Sequence, residues 1–384
     1  MKIRILVVSD LHVMEKESES SRLSMERLEL PVVQHPIEAL KEFLSKYVED
    51  IDYMINLGDV TNKSNRLCWN YGIRMFRDVQ NFKKIPTLIH ITGNHDVTCV
   101  GDIPDHDYFY LPRHTKAYPI DSEERKNEYW SKGYCIIPEE HVLFFVLNSE
   151  THLQSAEDLN KPPLLREDLV ASIDEELAQY DTFEGVKIAL MHHHIVMHSD
   201  PTGNLTANDV IEKGDLLLTC LKKHSFSLVM HGHKHLARIK QEDDIVVFAA
   251  GSLSSTANVL VSNSDNCFHI VEIDIEGHEV NGFIKTFRYD LRDGWVPVTD
   301  PNARFPHHAG FGIKKSMQVL SEEIMAKYQQ RLDAGEQIKE GEYLNEFKEI
   351  SYLSASQWQE LKQILSTQNY DFYESRHLLL KLLI

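Results

Sequence analysis

Asp10 and His12, Asp59, Asn94, His192, and the pair His233 and His235 are the side chains of this sequence best suited to hold metal. Each follows a short apolar run, so a single parallel sheet could deliver all of them to one edge. Oxygen and imidazole donors without thiolate suit Mn2+, Fe2+/Fe3+ or Zn2+ and do not single out one. Two divalent ions sharing one carboxylate are an apparatus for hydrolysing phosphate esters. Asp10 and His12 stand two apart, as do His233 and His235. In an extended segment such spacing turns both side chains to the same face.

The donors sit in five ordered motifs: SDLH (Ser9–His12), GDV (Gly58–Val60), GNHD (Gly93–Asp96), MHHH (Met191–His194) and HGHKH (His231–His235). Together these resemble the signatures of the calcineurin-like metallophosphoesterase superfamily over roughly residues 1–290. The wording is closest to the cyclic-nucleotide phosphodiesterase-like phosphohydrolases. GDVTNKS, the LNS at Leu147–Ser149 and the AAGS at Ala249–Ser252 resemble segments of that branch, with Asn148 where it usually has Asp. The resemblance implies that Asp10, His12 and His235 hold one ion and that Asn94, His192 and His233 hold the second. Asp59 would bridge the two, with a bridging hydroxide as nucleophile. His95 is then expected to face the leaving-group oxygen as general acid or transition-state stabiliser, with Asp96 bonding its other ring nitrogen. The family's His-His-Pro is MHHH here. Alignment on the preceding strand makes His192 the ligand, with His193 the alternative. His198 and His231, taken alone, read as structural.

These residues need a frame. Ile3–Val8, Tyr53–Leu57, Thr87–Ile91, Val142–Leu147, Val186–Met191 and Leu228–Met230 are short apolar runs of strand type. Helical spacing appears in 37–47, 165–180 and 215–223, so strand and helix alternate through the first 240 residues. Ile245–Ala250, Phe268–Asp274 and Val280–Arg288 then read as an antiparallel meander. The expected fold is α/β: by resemblance, a layered sandwich of two β-sheets flanked by helices over residues 1–313. Residues 314–384 are expected to form a small helical appendage, with helices over 316–332, 354–365 and 373–384 and a capping box from Ser354 and Gln357. The polar segment 100–130 interrupts the alternation and is expected to be a lid or substrate-selecting loop.

The chain has 384 residues and a formal net charge of −19, which counts against a general nucleic-acid binder because that affinity rests on cationic contacts. No apolar run approaches the roughly 18–20 residues of a membrane span. The cysteines, Cys68, Cys99, Cys135, Cys220 and Cys267, lack a C-x-x-C pair and suit reduced, mostly buried thiols in a cytoplasmic protein.

The first expectation is a dinuclear phosphodiesterase acting on cyclic nucleotides or other small nucleotide esters, with manganese or iron ahead of zinc. A metal-dependent nuclease is the second. The third is a phosphoesterase recruited to an assembly through a protein partner that docks on the C-terminal helices.

Overall fold

The computed structural model describes residues 1–17, 20–26, 30–97, 108–153, 158, 161–198, 206–256, 266–277, 279–298, 308–373 and 378–382. Two compact units emerge: Met1–His278 with Lys285–His307, and Glu279–Ile284 with His308–Ile384. The sequence suggested a break between 313 and 314. Packing puts it six residues earlier, between 307 and 308, and adds part of one strand to the second unit.

In the first unit, β1 (Lys2–Val8) is buried from Ile5 onward. Parallel to it run β2 (Tyr53–Asn56) and β3 (Thr87–His90), with Val7 opposite Ile55 and Ile55 opposite Ile89. Helices Pro36–Lys46 and Arg66–Lys83 make the crossovers. The second of these starts where the Asn65 side chain accepts the backbone N–H groups of Leu67 and Cys68, and stops at Lys84 in the left-handed region.

A second sheet is built from β4 (Tyr134–Pro138), β5 (Val142–Leu147), β6 (Val186–Leu190), β7 (Leu228–His231), β8 (Arg238–Glu242) and β9 (Ile245–Ala249), in the order β4-β5-β6-β7-β9-β8. Strands β5, β6, β7 and β9 are parallel. Their near-continuous apolar runs reflect cover on both faces. On one side Ile173, Leu177, Leu217 and Leu221 from helices Glu167–Leu177 and Gly214–Lys223 pack against Phe145, Ala189, Val229 and Val247. On the other, Tyr53 of β2 meets Phe144 of β5 edge-on, 5.0 Å between ring centres. The chain then returns in β10 (Cys267–Glu276), antiparallel to β1 with Val7 opposite His269. Strands β11 (Glu279–Asp290) and β12 (Gly294–Pro297) complete the order β12-β11-β10-β1-β2-β3. The result is a two-sheet α/β sandwich with helices outside. The ligand motifs are therefore served by two sheets, not by one edge of a single sheet.

The second unit contains Glu279–Ile284 of β11 and β13 (His308–Phe311), which pairs with β11. Helices Met317–Asp333, Glu340–Glu346 and Ala355–Thr367 follow, with β14 (Ile338–Lys339), β15 (Tyr370–Tyr373) and β16 (Leu378–Lys381) forming a small sheet in the order β14-β16-β15. Ser354 and Gln357 make the expected capping box. Where a helix over 373–384 was expected, the described residues Leu378–Lys381 form a strand: Phe372 lies opposite Leu379, and both are buried in a core with Leu320, Ile324, Leu332, Leu361 and Leu365. A short leucine-rich run does not distinguish buried strand from buried helix, and here strand pairing decides.

Within the segment 100–130, residues 100–107 lie outside the described residues, while Tyr110–Arg113 and Glu123–Lys132 are helical. Tyr129 is fully buried, and its hydroxyl accepts the Thr92 N–H and meets Thr92 Oγ1 at 2.9 Å. This part of the segment is anchored beneath the GNHD motif. The described cysteines, Cys68, Cys135, Cys220 and Cys267, are buried thiols. Among the described residues, no helix is long and apolar enough to cross a membrane.

Candidate metal centre

The chain leaves each strand abruptly. Asp10 and His12 follow β1, Asp59 follows β2, Asn94 opens a short 3-10 turn after β3, His192 follows β6, and His233 and His235 follow β7. Asp10, His12, Asp59, His233 and His235 all have φ between 47° and 82°. The two i, i+2 pairs thus sit in left-handed turns, not in the extended backbone their spacing suggested. Gly58 has φ 105°, and a Cβ there would lie 2.5 Å from His192 Nδ1. Gly93 is required for a different reason, since its Cβ would overlap the Asp59 carboxylate.

One cluster joins Asp10, His12 and His235. The Nε2 atoms of His12 and His235 are 2.9 Å apart, and they lie 3.8 and 3.5 Å from Asp10 Oδ1. The Ser9 hydroxyl and the His233 N–H hold the Asp10 carboxylate in place. A second cluster joins Asn94, His192 and His233: Asn94 Oδ1 is 3.0 Å from His192 Nε2 and 3.1 Å from His233 Nδ1. Asp59 stands between them. Its Oδ1 accepts the His95 N–H, while its buried Oδ2 has no hydrogen-bond partner and lies 3.5 Å from His12 Nε2 and 3.4 Å from His192 Nε2.

His192 Nδ1 donates to the Leu57 carbonyl at 2.7 Å, so the neutral ring presents only a lone pair at Nε2. That lone pair faces two acceptors, Asn94 Oδ1 and Asp59 Oδ2. His233 Nε2 donates to Asp209 Oδ1 at 3.0 Å, which leaves its Nδ1 lone pair facing the same Asn94 oxygen. Acceptors that converge on acceptors call for positive charge between them. The electrostatics agree. Burial alone would lower His192, yet Asp59 pushes it up to about 10. Burial would raise Asp59, yet His192, His95 and His12 hold it well below its ordinary value. The residues present suit a pair of metal ions.

His193 lies beside this centre, its ring centre 4.3 Å from that of His233, but its Nδ1 is engaged elsewhere. Its Nδ1 lies 2.7 Å from Glu150 Oε1, so of the adjacent histidines it is His192 that points into the cluster. His95 lies with its ring centre 4.8 Å from that of His12, and a ring nitrogen lies within 4.8 Å of His12 and Asp59 donor atoms. Its Nδ1 donates to the Asn62 carbonyl at 2.7 Å. Asp96 therefore does not orient His95 through its ring, contrary to the sequence-based expectation. Both its oxygens are taken by backbone, Oδ1 by Thr61 N–H and Oδ2 by Gly93 N–H, each at 3.1 Å. Asp96 holds the turn that carries Asn94 and His95.

Three supporting residues were not among the site residues expected from the sequence, although Asn62 lies within GDVTNKS. Asp209 orients His233 and is itself held by the Thr206 N–H and hydroxyl. Asn62 meets His12 Nδ1 through its side chain, at 3.2 Å, and His95 through its carbonyl. Glu150 holds His193, and its backbone N–H donates to Asn148 Oδ1 at 3.1 Å. For Asp209 the signal in the sequence was the T-x-x-D spacing from Thr206, a local capping pattern.

The family model described as calcineurin-like phosphoesterase matches residues 3–237, which contain every residue of both clusters. The chain belongs to the calcineurin-like phosphoesterases. A comparison with curated proteins finds none that matches this phosphoesterase. Among solved structures it is similar to a purple acid phosphatase from yellow lupin (Lupinus luteus) seeds, at TM-score 0.51 and 14% identity, over 77% of this chain and 52% of that one. It is also similar to a dimetal phosphatase from Danio rerio, at TM-score 0.47 and 12% identity, over 75% of this chain and 99% of that one. At such identity the lupin likeness speaks for the fold alone.

Proposed function

We propose that this calcineurin-like phosphoesterase is a dinuclear phosphodiesterase acting on cyclic nucleotides or other small nucleotide esters. The observation that carries the reading is Asp59 Oδ2, buried, without a hydrogen-bond partner and flanked by His12 Nε2 and His192 Nε2. Asp10, His12 and His235 would hold one ion, Asn94, His192 and His233 the other, and Asp59 both. Two bound divalent ions supply the charge that polarises a phosphoryl oxygen and acidifies water at neutral pH.

The chain's own groups do the rest. The His233 N–H and the Ser9 hydroxyl keep the Asp10 carboxylate aimed. With Nδ1 committed to Asn62, His95 has Nε2 as the atom that can exchange a proton with a departing oxygen. Burial holds this imidazole below its ordinary value against the opposing pull of Asp59. A singly charged diester suits the site better than a dianionic monoester. Lys234, beside His233, is already paired with Asp209 at 3.2 Å, which supports the singly charged substrate. The formal charge of −19 favours small esters over nucleic-acid strands.

The test is a Mn2+-supplemented hydrolysis panel of bis-p-nitrophenyl phosphate, p-nitrophenyl phosphate, cyclic nucleotides and single-stranded DNA. Diester turnover above monoester turnover is expected, and the reverse ranking would make the protein a phosphomonoesterase. Asp59→Asn should lose at least one ion and nearly all turnover. Wild-type rates in that variant would remove the bridging role.

A further inference from the structure

Beside the paired centre lie three imidazoles that it does not use: His194 after β6, His198 four residues on, and His231 at the end of β7. They are 2%, 5% and 0% exposed, and their ring nitrogens lie within 4.8 Å of one another. His198 Nε2 is 3.2 Å from His231 Nε2. A tetrahedral zinc with Zn–N bonds of about 2.0–2.1 Å spaces its nitrogens about 3.3 Å apart, so this pair already has the spacing of two ligands on one ion.

Neither ring nitrogen of His194 has a partner, although both are buried. A neutral imidazole always carries one donor and one acceptor, and leaving both unmet in the interior costs free energy. His231 Nδ1 faces the Gly232 carbonyl at 3.4 Å, which can only accept, so Nε2 is the lone-pair atom turned toward His198. The ring of His194 stands at 55° to that of His231, 4.2 Å between centres. Its backbone is fixed as well, by bonds to Asp209 and Ile211.

We infer that His194, His198 and His231 form a third metal site, separate from the paired centre and built for one ion of the zinc class. Three imidazoles without a carboxylate favour Zn2+, Co2+, Ni2+ or Cu2+ over Mg2+, Ca2+ and Mn2+. An ion here ties the turn that begins with His192 to the strand end that leads into His233, so it fixes two backbones of the neighbouring centre without joining it. The site stands on its own geometry and does not depend on the reading of the paired centre.

The experiment counts zinc. The full chain is stripped with a chelator, dialysed against Zn2+ and measured by elemental analysis. Wild type should bind three ions per chain, and His198→Gln and His231→Gln should each bind one fewer. Wild type saturating at two, with both variants also at two, overturns the site. Should the glutamine variants fail to fold, the smaller change His198→Asn takes their place: one ion fewer than wild type supports the site, and an unchanged count overturns it. Asp59→Asn separates the two readings. It loses zinc from the paired centre while the loss caused by His198→Gln still adds to it, whereas Asp59→Asn with an unchanged zinc count removes the paired centre and leaves the third site standing.

Discussion

Asp209 Oδ1 accepts a hydrogen bond from His233 Nε2 at 3.0 Å, and this contact fixes which nitrogen of His233 faces Asn94. A carboxylate behind a metal-ligating imidazole sets the tautomer and raises its basicity. Asp209→Asn is therefore expected to weaken binding of the second ion by about 10–100-fold while leaving the protein folded. Equilibrium dialysis against Mn2+ or Zn2+ reads this directly, and unchanged affinity would contradict the orienting role.

His95→Ala should behave differently. The ring touches no carboxylate oxygen that the ions need, because Asp59 is met by the His95 backbone N–H, which alanine retains. Metal content should stay at the wild-type level, while turnover falls about 10²–10⁴-fold for esters with poor leaving groups and less for p-nitrophenolate. Equal slowing across a leaving-group series would show that His95 exchanges no proton with the departing oxygen.

Gly58→Ala combines strain and collision. The position has φ 105°, and the new Cβ would press on His192 Nδ1 where that atom bonds Leu57. The variant should lose about 1–3 kcal/mol of stability in denaturant titrations and bind the second ion poorly. Wild-type metal affinity would mean that the loop absorbs the methyl group without moving His192.

Buried His90 and His269 set an acid limit on stability. Burial pushes His269 down to about 3, and burial with Arg77 nearby pushes His90 down to about 3. Both fold as neutral rings, whereas the unfolded chain protonates near its ordinary value of about 6.5. Stability from each is complete above about pH 6.5 and falls by about 1.4 kcal/mol per pH unit as the pH drops from there toward 3. His269→Gln should remove one such contribution, giving a shallower loss of urea midpoint between pH 7 and pH 5. Parallel pH profiles for wild type and variant would refute it.

The polar donors were legible because each lies at the exit of an apolar run, where a strand ends and a turn begins. Strands such as β1, β6 and β9 are legible for the same reason, being short, apolar and covered on both faces. Helix Arg66–Lys83 was not among the expected helices, although Asn65 caps it and Trp69, Ile73, Phe76 and Val79 are buried along it. The misreadings share a cause. Strand β16 depends on its pairing with β15 across residues that its own sequence does not describe, and leucines alone fit either state. Asp209, Asn62 and Glu150 act through contacts with distant residues, so their spacing along the chain says nothing of their partners. The left-handed turns at Asp10 and His12 were hidden because i, i+2 spacing is shared by strands and by many loops.

Those turns carry a further implication for engineering. Aspartate and histidine in the left-handed region each hold about 1–3 kcal/mol of backbone tension that glycine would release. Asp10, His12, Asp59, His233 and His235 would therefore be attractive targets in any search for heat resistance blind to catalysis. Selection for thermal tolerance alone would tend to dismantle the site, and hardier variants should be sought elsewhere in the sandwich.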